Sequence, residues 1–384
     1  EFISKNDINE DDEIEYDAIV SIMDERYLLK DYRNSNSNSN TKKYYPDYQD
    51  VNFTKNIYEK LEFYLNKNFK QKHLGIEEKE NLKKQLCDPL FDNQNKEDVV
   101  FNLTNNQKFL KAFLSPGTPY NSMLLYHGTG VGKTCTSISI AEQYSDELER
   151  LNKKIIILLN PSIKANFIKN IFNINNLKTG LTYYQCTGEK YLREIPDFDK
   201  LVNTPDILEK KINKIIKKRY EFYGYQQFAN VIENIQKSVN EKYSEDLQKK
   251  MFNNKIREKF SNTVFIIDEV HNIKEGADLK VLPPLLEKVF KTTEDMKLLL
   301  LSATPMFDTS KEIIYLMNLL LINDNKPTMK VNDYFNKDGY LIEDKKKQFI
   351  KKTQGYISYV RGENPLRFPQ AIYPDDLVIK QNDF

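Results

Sequence analysis

Short apolar runs alternate with longer amphipathic stretches through the middle of the chain. Four of these runs are continuous and bounded by polar residues: MLLY from Met123, IIILL from Ile155, VFII from Val264 and LLLL from Leu298. Continuous apolar runs of this length are typical of buried parallel strands. Strands that are separated by helices imply βαβ units. The pattern therefore predicts an α/β domain over residues 101–325, with a parallel sheet and helices on both faces.

The pattern before this domain is different. Residues 1–50 are polar and acidic, and the repeat NSNSNSN at Asn34–Asn40 predicts a flexible loop because it has no apolar surface to bury. From Val51 to Asp98, runs such as YEKLEFYLN carry apolar residues at helical spacing. We therefore expect a smaller, mostly helical N-terminal region over residues 1–100. A helix over Leu103–Leu114 should lead into the α/β domain, and residues 326–384 should form a connection after it.

Composition changes this picture only slightly. The chain has 384 residues, 40% hydrophobic and 29% charged, which is typical of a soluble globular protein with more than one domain. The net charge of +1 means that any surface for nucleic acid must be a local patch. No apolar run approaches the roughly 18 residues that span a bilayer, and the acidic start is no signal peptide, so no membrane partner is expected. The first residue, Glu1, suggests a piece of a longer protein.

The cysteines are few and far apart in sequence. Cys87, Cys135 and Cys186 show no C-x-x-C spacing, which predicts neither a disulfide framework nor a zinc site. We therefore expect a reducing compartment.

A glycine-rich stretch, HGTGVGKTC, follows the first apolar run. Three of the twelve glycines in the chain stand at alternate positions just before Lys133 and Thr134. Such a loop between a strand and a helix, ending in Lys-Thr, is typical of a phosphate-binding loop, although His127 replaces the first glycine of the full pattern. Lys133 would contact the β- and γ-phosphate oxygens and Thr134 would bind Mg²⁺. An ordinary glycine turn is the alternative. The candidate nucleotide-binding residues are Gly128, Thr129, Gly130, Val131, Gly132, Lys133, Thr134 and Cys135.

Two further candidate sites follow later strands. In VFIIDEVH, Asp268 would hold Mg²⁺ at a strand end, and Glu269 would orient or deprotonate the attacking water. His271 completes the Asp-Glu-x-His group. The alternative interpretation is that these acidic residues are simply solvated side chains at the end of a strand. In LLLLSATPM, Ser302 and Thr304 could hydrogen-bond to the neighbouring acidic loop, although Ser-Ala-Thr alone is a weak signal.

In this order, HGTGVGKT, DEVH and SATP resemble motifs I, II and III of the superfamily 2 helicases and nucleic-acid translocases. The resemblance covers roughly Phe101 to Asn323. It implies a RecA-like lobe that binds ATP and Mg²⁺ and hydrolyses ATP to act on nucleic acid. The implied catalytic residues are Lys133, Asp268, Glu269 and His271. Thr134 and Asp268 would be the metal ligands, and Ser302 and Thr304 the coupling residues.

Weaker similarities extend the resemblance. Gln107 resembles the glutamine that reads adenine, although a surface glutamine on a helix is nearly as good an interpretation. LLNPSIKANFIKNI resembles motif Ia, which implies that Pro161 and Ser162 meet a nucleic-acid backbone. YGYQQFANVI, which begins at Tyr223, is similar to a tyrosine-containing segment of the Swi2/Snf2-like branch.

More narrowly, SPGTPYNSMLLYHGTGVGKTC and ISYVRGENPLRFP resemble the helicase-like transcription proteins of large cytoplasmic DNA viruses. These include the small subunit of the poxvirus early transcription factor and nucleoside triphosphate phosphohydrolase I. The resemblance implies DNA rather than RNA as the nucleic-acid partner, and RNA polymerase or a transcription-factor subunit as a protein partner. It also implies the cytoplasm, in a viral factory or the virion.

The second RecA-like lobe of such motors carries an arginine motif of the Q-x-x-G-R-x-x-R type, which this sequence lacks. Arg361 resembles part of the connection towards that lobe instead. Because an arginine of this kind stabilises the charge of the transition state, we expect hydrolysis by this piece alone to be weak. The lysine-rich stretch Ile207–Phe222 predicts a helix whose lysines form a solvated face, with phosphate contact as the alternative.

Two functions remain open: a motor that moves on or unwinds nucleic acid, and an ATP-gated promoter-binding or assembly subunit that does not unwind. An AAA+ or ABC-type ATPase is disfavoured, because it would not explain DEVH followed by SAT.

Overall fold

The computed structural model describes residues 44–66 and 101–360, with gaps at residues 180, 197, 202–203, 240–242, 275–280 and 307. Its centre is a six-stranded sheet with the strand order β3-β2-β4-β5-β1-β6, in which all neighbours pair in parallel. The strands are β1 (Ser122–His127), β2 (Ile155–Leu158), β3 (Tyr220–Tyr223), β4 (Val264–Ile267), β5 (Lys297–Ser302) and β6 (Ile357–Val360).

Helices connect these strands and also precede them. In the described part of the chain they are α1 (Phe53–Tyr58), α2 (Leu61–Tyr64), α3 (Asn105–Phe113), α4 (Lys133–Ala141), α5 (Ser145–Arg150), α6 (Lys164–Ile171), α7 (Ile174–Lys178), α8 (Lys190–Arg193), α9 (Phe198–Leu201), α10 (Pro205–Arg219), α11 (Tyr225–Lys237), α12 (Glu245–Phe260), α13 (Leu282–Thr292), α14 (Glu312–Asn323), α15 (Val331–Tyr334) and α16 (Lys346–Thr353). None of these helices is long and apolar enough to cross a bilayer.

The four apolar runs are β1, β2, β4 and β5, which confirms the predicted α/β fold. Every residue of β2 and β4 is buried, as expected for inner strands with helices on both faces. The two strands that the apolar pattern missed, β3 and β6, lie at the edges of the sheet. Their sequences, YEFY and ISYV, each include a polar residue and are only partly buried, because an edge strand is less completely covered.

Three loops of the predicted site meet because of the strand order. The strands β4, β5 and β1 are consecutive neighbours, with Ile267 beside Leu300 and Tyr126 beside Ser302. Their carboxyl ends therefore lie at the same edge of the sheet, where open α/β sheets bind ligands. The glycine-rich loop follows β1, the acidic loop follows β4, and the Ser-Ala-Thr segment lies at the end of β5.

The described part of the N-terminal region packs on the same core as the sheet. The ring of Tyr48 stacks on Tyr356 with centroids 4.5 Å apart, and Phe113 stacks on Tyr120 at 4.2 Å. Gly355 has φ +79°, and a Cβ atom there would lie 2.5 Å from the Tyr48 ring. The predicted helical character is confirmed for α1 and α2. The Asn/Ser repeat and residues 67–100 lie outside the described residues, as does Arg361.

Two other helices follow the sequence pattern. The helix expected at Leu103–Leu114 is α3, which begins after Thr104 with a capping box. In α10, Leu208, Ile212 and Ile216 are buried on one face, as the lysine-rich pattern predicted.

The expectation that the cysteines stay unpaired is wrong for one pair. Cys135 in the first turn of α4 is joined to Cys186 in a disulfide, with Cα atoms 5.4 Å apart and a sequence separation of 51. The chain after β2 packs α6 against α4, and the hydroxyl of Thr187, the residue after Cys186, donates to the carbonyl of Ile171 at the end of α6. Sequence spacing does not reveal such a long-range contact. The inference of a reducing compartment loses this support.

Candidate nucleotide-binding site

The glycine-rich loop joins β1 to α4 in a conformation that only glycine adopts easily. Gly130 has φ +73° and Gly132 has φ +84°, both in the left-handed region. Gly132 is the N-cap of α4, and a Cβ atom there would lie 2.7 Å from Nε2 of Gln107. The first backbone N–H groups of α4 have no partner within the helix, and the helix dipole favours an anion at this end. The loop therefore has the backbone geometry of a phosphate-binding site.

His127 stands where the full phosphate-loop pattern has glycine. It is the last residue of β1, and its Nε2 atom lies 2.9 Å from Oγ of Ser358 in β6. Burial, together with the nearby charge of Lys133, lowers the pKa of His127 to about 4. The imidazole is therefore neutral and faces the neighbouring strand rather than the loop. This explains why the loop accommodates histidine at this position.

Lys133 lies among the acidic residues that follow β4. Its Nζ atom is 3.6 Å from Oε1 of Glu269, and the lysine is buried. Asp268 is also buried, and burial together with Glu269 raises the pKa of Asp268 to about 6, against the opposing effect of Lys133. The backbone N–H of Glu269 donates to Oδ1 of Asp268 at 3.1 Å. A buried cation and two carboxylates therefore share one small region beside the glycine-rich loop.

The backbone of the acidic loop is itself unusual. Glu269 has φ +49°, a left-handed conformation that costs a non-glycine residue free energy and is common at functional sites. The Tyr225 hydroxyl donates to the carbonyl oxygen of Asp268 at 2.6 Å and lies 3.2 Å from that of Glu269. The N–H of Asn272 donates to the carbonyl of Glu269 at 3.0 Å. These bonds hold the strained turn in place.

Tyr225 is a site residue that the sequence pattern did not reveal. It begins α11, two residues after the end of β3, and its buried ring reaches across to the acidic loop. The aromatic run YEFYGY that contains it was visible in the sequence. Nothing in that run shows where a hydroxyl will point, because the contact spans 43 residues of chain.

The Ser-Ala-Thr segment contacts the acidic loop through its hydroxyl. The Nδ1 atom of His271 is 2.9 Å from Oγ of Ser302 and 3.5 Å from Oε2 of Glu269. The backbone N–H of Thr304 donates to the same Oγ of Ser302 at 3.0 Å. A continuous series of polar contacts therefore runs from Lys133 through Glu269 and His271 to the end of β5.

Gln107 lies against the phosphate loop from the other side. Its Oε1 atom accepts the N–H of Thr104 at 2.9 Å, and its Nε2 atom donates to the carbonyl of Gly132 at 3.3 Å. With only 5% of its surface exposed, Gln107 is not the surface glutamine of the alternative interpretation. Its contact with adenine stays a prediction.

The candidate nucleic-acid residues lie at the ends of β2 and β3. Pro161 and Ser162 are exposed in a 3-10 turn capped by Asn160, and a Cβ atom on Gly224 would lie 3.2 Å from Cγ of Pro161. These two loops therefore form one surface. Tyr223 does not belong to that surface, because its side chain is buried and its hydroxyl donates to Glu221. A contact between its ring and nucleic acid is not available in this structure.

The donor set fits a magnesium ion that is held mainly by a nucleotide. The described residues contain no group of three or more histidine, cysteine or acidic residues that could hold a metal alone. Mg²⁺ in phosphate-transfer sites commonly takes one or two protein oxygens and completes its coordination with phosphates and water. Asp268 and the Thr134 hydroxyl, the metal ligands expected from the sequence, would supply these oxygens, with the carboxylate of Glu269 nearby.

Comparison with known proteins places this geometry in a family. Residues 99–307 match the family described as type III restriction enzyme, res subunit. A candidate ATP-dependent RNA helicase of Acanthamoeba polyphaga mimivirus is 30% identical over 272 residues, which are 69% of this chain and 42% of that protein. A candidate helicase of Invertebrate iridescent virus 3 is 31% identical over 268 residues, 67% of this chain and 23% of that protein.

A third relative is named as a homologue of an early transcription factor large subunit, in African swine fever virus. It is 22% identical over 347 residues, which are 73% of this chain and 29% of that protein. The chain therefore spans less than half of the length of each of these three relatives. The family match covers more than half of the chain and includes the phosphate loop, the acidic loop and the Ser-Ala-Thr segment. The chain belongs to the type III restriction enzyme res-subunit family and is a RecA-like, superfamily 2 helicase-type domain.

Proposed function

We propose that this chain is the ATP-binding and hydrolysing lobe of a nucleic-acid-dependent ATPase, and that DNA is its nucleic-acid partner. The observation that carries the proposal is the series of contacts from Lys133 to Glu269, His271 and Ser302 at the carboxyl ends of three neighbouring strands. A phosphate loop, two carboxylates and a hydroxyl in this order are the parts that a P-loop NTPase needs.

Each residue has a distinct role in this proposal. The N–H groups of the loop and of the first turn of α4 bind phosphate, and Lys133 neutralises charge on the β- and γ-phosphate oxygens. Thr134 and Asp268 would hold Mg²⁺, which supplies further neutralisation of phosphate charge when bound. Glu269 orients the attacking water and accepts its proton. Lys133 is paired with Glu269 in this structure, so phosphate would compete with Glu269 for the lysine.

The remaining contacts support a coupling role for the end of β5. His271 touches both Glu269 and Ser302, so a change at the water-orienting carboxylate reaches the Ser-Ala-Thr segment through one side chain. Tyr225 connects the same acidic loop to the start of α11, next to Gly224 and Pro161. The exposed turn at Pro161 and Ser162 is the surface to which we assign the nucleic-acid backbone. Hydrolysis and nucleic-acid contact would then communicate through Tyr225.

We also propose a place in viral transcription, in the cytoplasm or the virion, beside RNA polymerase or another transcription-factor subunit, as the resemblance to helicase-like viral transcription proteins implies. One relative is named for a transcription factor rather than for a helicase. This favours a second candidate function, an ATP-gated promoter-binding or assembly subunit that hydrolyses ATP without unwinding.

The full-length protein distinguishes these functions. ATP hydrolysis and displacement of a labelled strand are measured side by side, with duplex DNA, single-stranded DNA and RNA as separate stimulants. Stimulated hydrolysis with displacement supports the motor, and stimulated hydrolysis without displacement supports the switch. Hydrolysis that no nucleic acid stimulates contradicts both. Stimulation by RNA alone contradicts the assignment of DNA.

A further inference from the structure

The disulfide lies directly beside the proposed phosphate site. Cys135 is the third residue of α4 and follows Thr134, so its own backbone N–H is in the turn that we assign to phosphate binding. Its partner Cys186 belongs to residues 181–193, which we call the tethered segment. Cys135 is buried and Cys186 is half-buried, so a small thiol reagent can reach the pair from the side of Cys186.

The tethered segment is held along one face of α4 at two points. The first point is the disulfide, and the second is Glu142, which follows the last residue of α4. Oε1 of Glu142 accepts from the Tyr191 hydroxyl at 2.8 Å, and its Oε2 lies 3.2 Å from Nζ of Lys190. Cys135 and Glu142 are seven residues apart, which is about two helical turns, so both lie on the same face. Only the attachment near the phosphate loop is covalent.

The same segment also touches the elements around the site. The carbonyl of Tyr183 accepts the N–H of Phe101 at 3.3 Å, and the Tyr184 ring packs edge-on against the Phe101 ring. Phe101 precedes α3, whose Gln107 donates to Gly132. The Thr187 hydroxyl donates to the carbonyl of Ile171 at the end of α6. The disulfide thus closes a ring of contacts around the start of α4.

We propose that Cys135 and Cys186 are a thiol–disulfide modification site that couples the redox state of the protein to nucleotide binding. The reaction partner is a low-molecular-weight disulfide such as oxidised glutathione. The Cys186 thiolate attacks one sulfur of that disulfide, and a protein–glutathione mixed disulfide forms as the first glutathione leaves as a thiolate. The Cys135 thiolate then displaces the second glutathione. The two cysteines lose two electrons, and one glutathione disulfide becomes two reduced glutathiones.

The direction of the effect follows from preorganisation. The oxidised pair fixes the tethered segment against the first turn of α4, and this is the state in which the loop already has the phosphate-binding conformation. Reduction frees the end of the segment near the site, while the contacts at Glu142 remain. A site that must be ordered on binding holds its ligand more weakly. We expect reduction to weaken ATP binding on the order of 3- to 10-fold. This coupling rests on the proposed nucleotide binding, whereas formation of the disulfide does not.

The experiment uses the full-length protein, first incubated with oxidised glutathione or with dithiothreitol. Free thiols are alkylated, the disulfide-linked peptides are identified by mass spectrometry, and hydrogen exchange is measured over residues 133–140 and 181–189. The affinity for a fluorescent ATP analogue is then compared between the two states. The Cys186→Ser variant should give the reduced behaviour under both conditions. The Cys87→Ser variant, which keeps both paired cysteines, should respond as the unmodified protein does.

We expect a peptide that links Cys135 to Cys186 after oxidation, slower exchange in both segments, and tighter ATP binding that dithiothreitol reverses. Recovery of both cysteines as alkylated thiols after oxidation would overturn the proposal. Equal exchange in the two redox states, or equal and measurable affinity in them, would overturn it as well. If neither state binds the analogue, the proposed nucleotide binding is wrong, and the linked peptide and the exchange rates still decide whether the modification site exists.

Discussion

At the residue scale, the position of Glu269 is fixed by its backbone conformation and by two side-chain contacts. It has a left-handed backbone, an ion pair with Lys133 and a contact with His271. A carboxylate that orients water contributes to the transition state and little to ground-state binding. We therefore expect Glu269→Gln to lower single-turnover hydrolysis by ~10²-fold or more while an ATP analogue still binds. Asp268→Asn should instead weaken binding of the Mg²⁺–nucleotide complex. Equal loss of binding in both variants would contradict this division of roles.

Asp268 should also reduce the stability of the free protein. Burial and Glu269 raise its pKa from 3.8 to about 6, so the folded state favours the protonated form. That preference stabilises the fold below pH 3.8 and is lost as the pH rises through 6, because the folded protein must then ionise a buried acid. Above pH 6, Asp268→Asn should be more stable than the unmodified protein by on the order of 1–3 kcal/mol.

The measurement is urea unfolding of both proteins across pH 4–8 without Mg²⁺ or nucleotide, because either ligand would itself change the ionisation of Asp268. All other ionisable groups are common to the two proteins, so the pH dependence of the difference in unfolding free energy reports on this carboxyl. The difference should grow between pH 4 and pH 6 and then level off. A constant difference across the range would mean that Asp268 is not buried in the way described.

Tyr225 provides a test of the link between the acidic loop and the nucleic-acid surface. Tyr225→Phe keeps the ring but removes the hydroxyl that bonds the carbonyls of Asp268 and Glu269. Without this hydroxyl the turn is held less firmly, so kcat for nucleic-acid-stimulated hydrolysis should fall by about 3- to 10-fold, which corresponds to the loss of one buried hydrogen bond. The KM for ATP should change little. Tyr223→Phe is the matched control, since its hydroxyl contacts Glu221 instead. Equal effects of the two substitutions would show that Tyr225 only supports the fold.

At the scale of elements, the N-terminal helices are part of the core of the lobe. Gly355 allows Tyr48 to approach the turn before β6 so closely that a Cβ atom on this glycine would lie 2.5 Å from the ring. Gly355→Ala should therefore cost both the left-handed strain and an overpacked contact, about 2–4 kcal/mol together. Gly339→Ala has a similar φ of +88° but meets nothing closer than 3.5 Å, so it should cost only the strain, about 1–2 kcal/mol.

The measurement for the glycine pair is urea unfolding, accompanied by limited proteolysis within residues 44–66. Only Gly355→Ala should expose these residues to protease at native conditions. If the two substitutions behave alike, the packing of Tyr48 on this turn is not important for stability.

How far the sequence predicted the elements depends on their burial. The strands β1, β2, β4 and β5 were predictable because each is a continuous apolar run under helices on both sides. The edge strands β3 and β6 were not, since partial exposure mixes polar residues into short segments. The loops of the site were predictable in order and position because glycine, lysine and paired acids have few other uses at strand ends.

Contacts made only in three dimensions could not be read from the sequence. The Tyr225 hydroxyl reaches a loop 43 residues away, and Cys135 meets Cys186 across 51 residues. Both depend on how helices pack on the sheet, which local sequence does not specify. His127 was conspicuous as a departure from the glycine pattern, but only the structure shows that its ring bonds Ser358.

At the scale of the whole molecule, the described lobe brings together the proposed phosphate loop, two carboxylates and the Ser-Ala-Thr segment to which we assign coupling. It spans less than half of each viral relative compared above. In a P-loop ATPase, an arginine finger can contribute ~10³-fold or more to the rate. The rate of ATP hydrolysis should therefore be measured on the full-length protein.

The most direct test is the nucleic-acid-stimulated ATPase rate of the full-length Lys133→Ala protein. In the proposed mechanism Lys133 supplies the charge for the β- and γ-phosphate oxygens, so its loss should lower kcat by ~10²-fold or more while circular dichroism shows an intact fold. Lys55→Ala, which removes an exposed lysine of α1, should keep the unmodified rate. A Lys133→Ala protein that hydrolyses ATP at a rate close to that of Lys55→Ala would contradict the assignment of the phosphate loop.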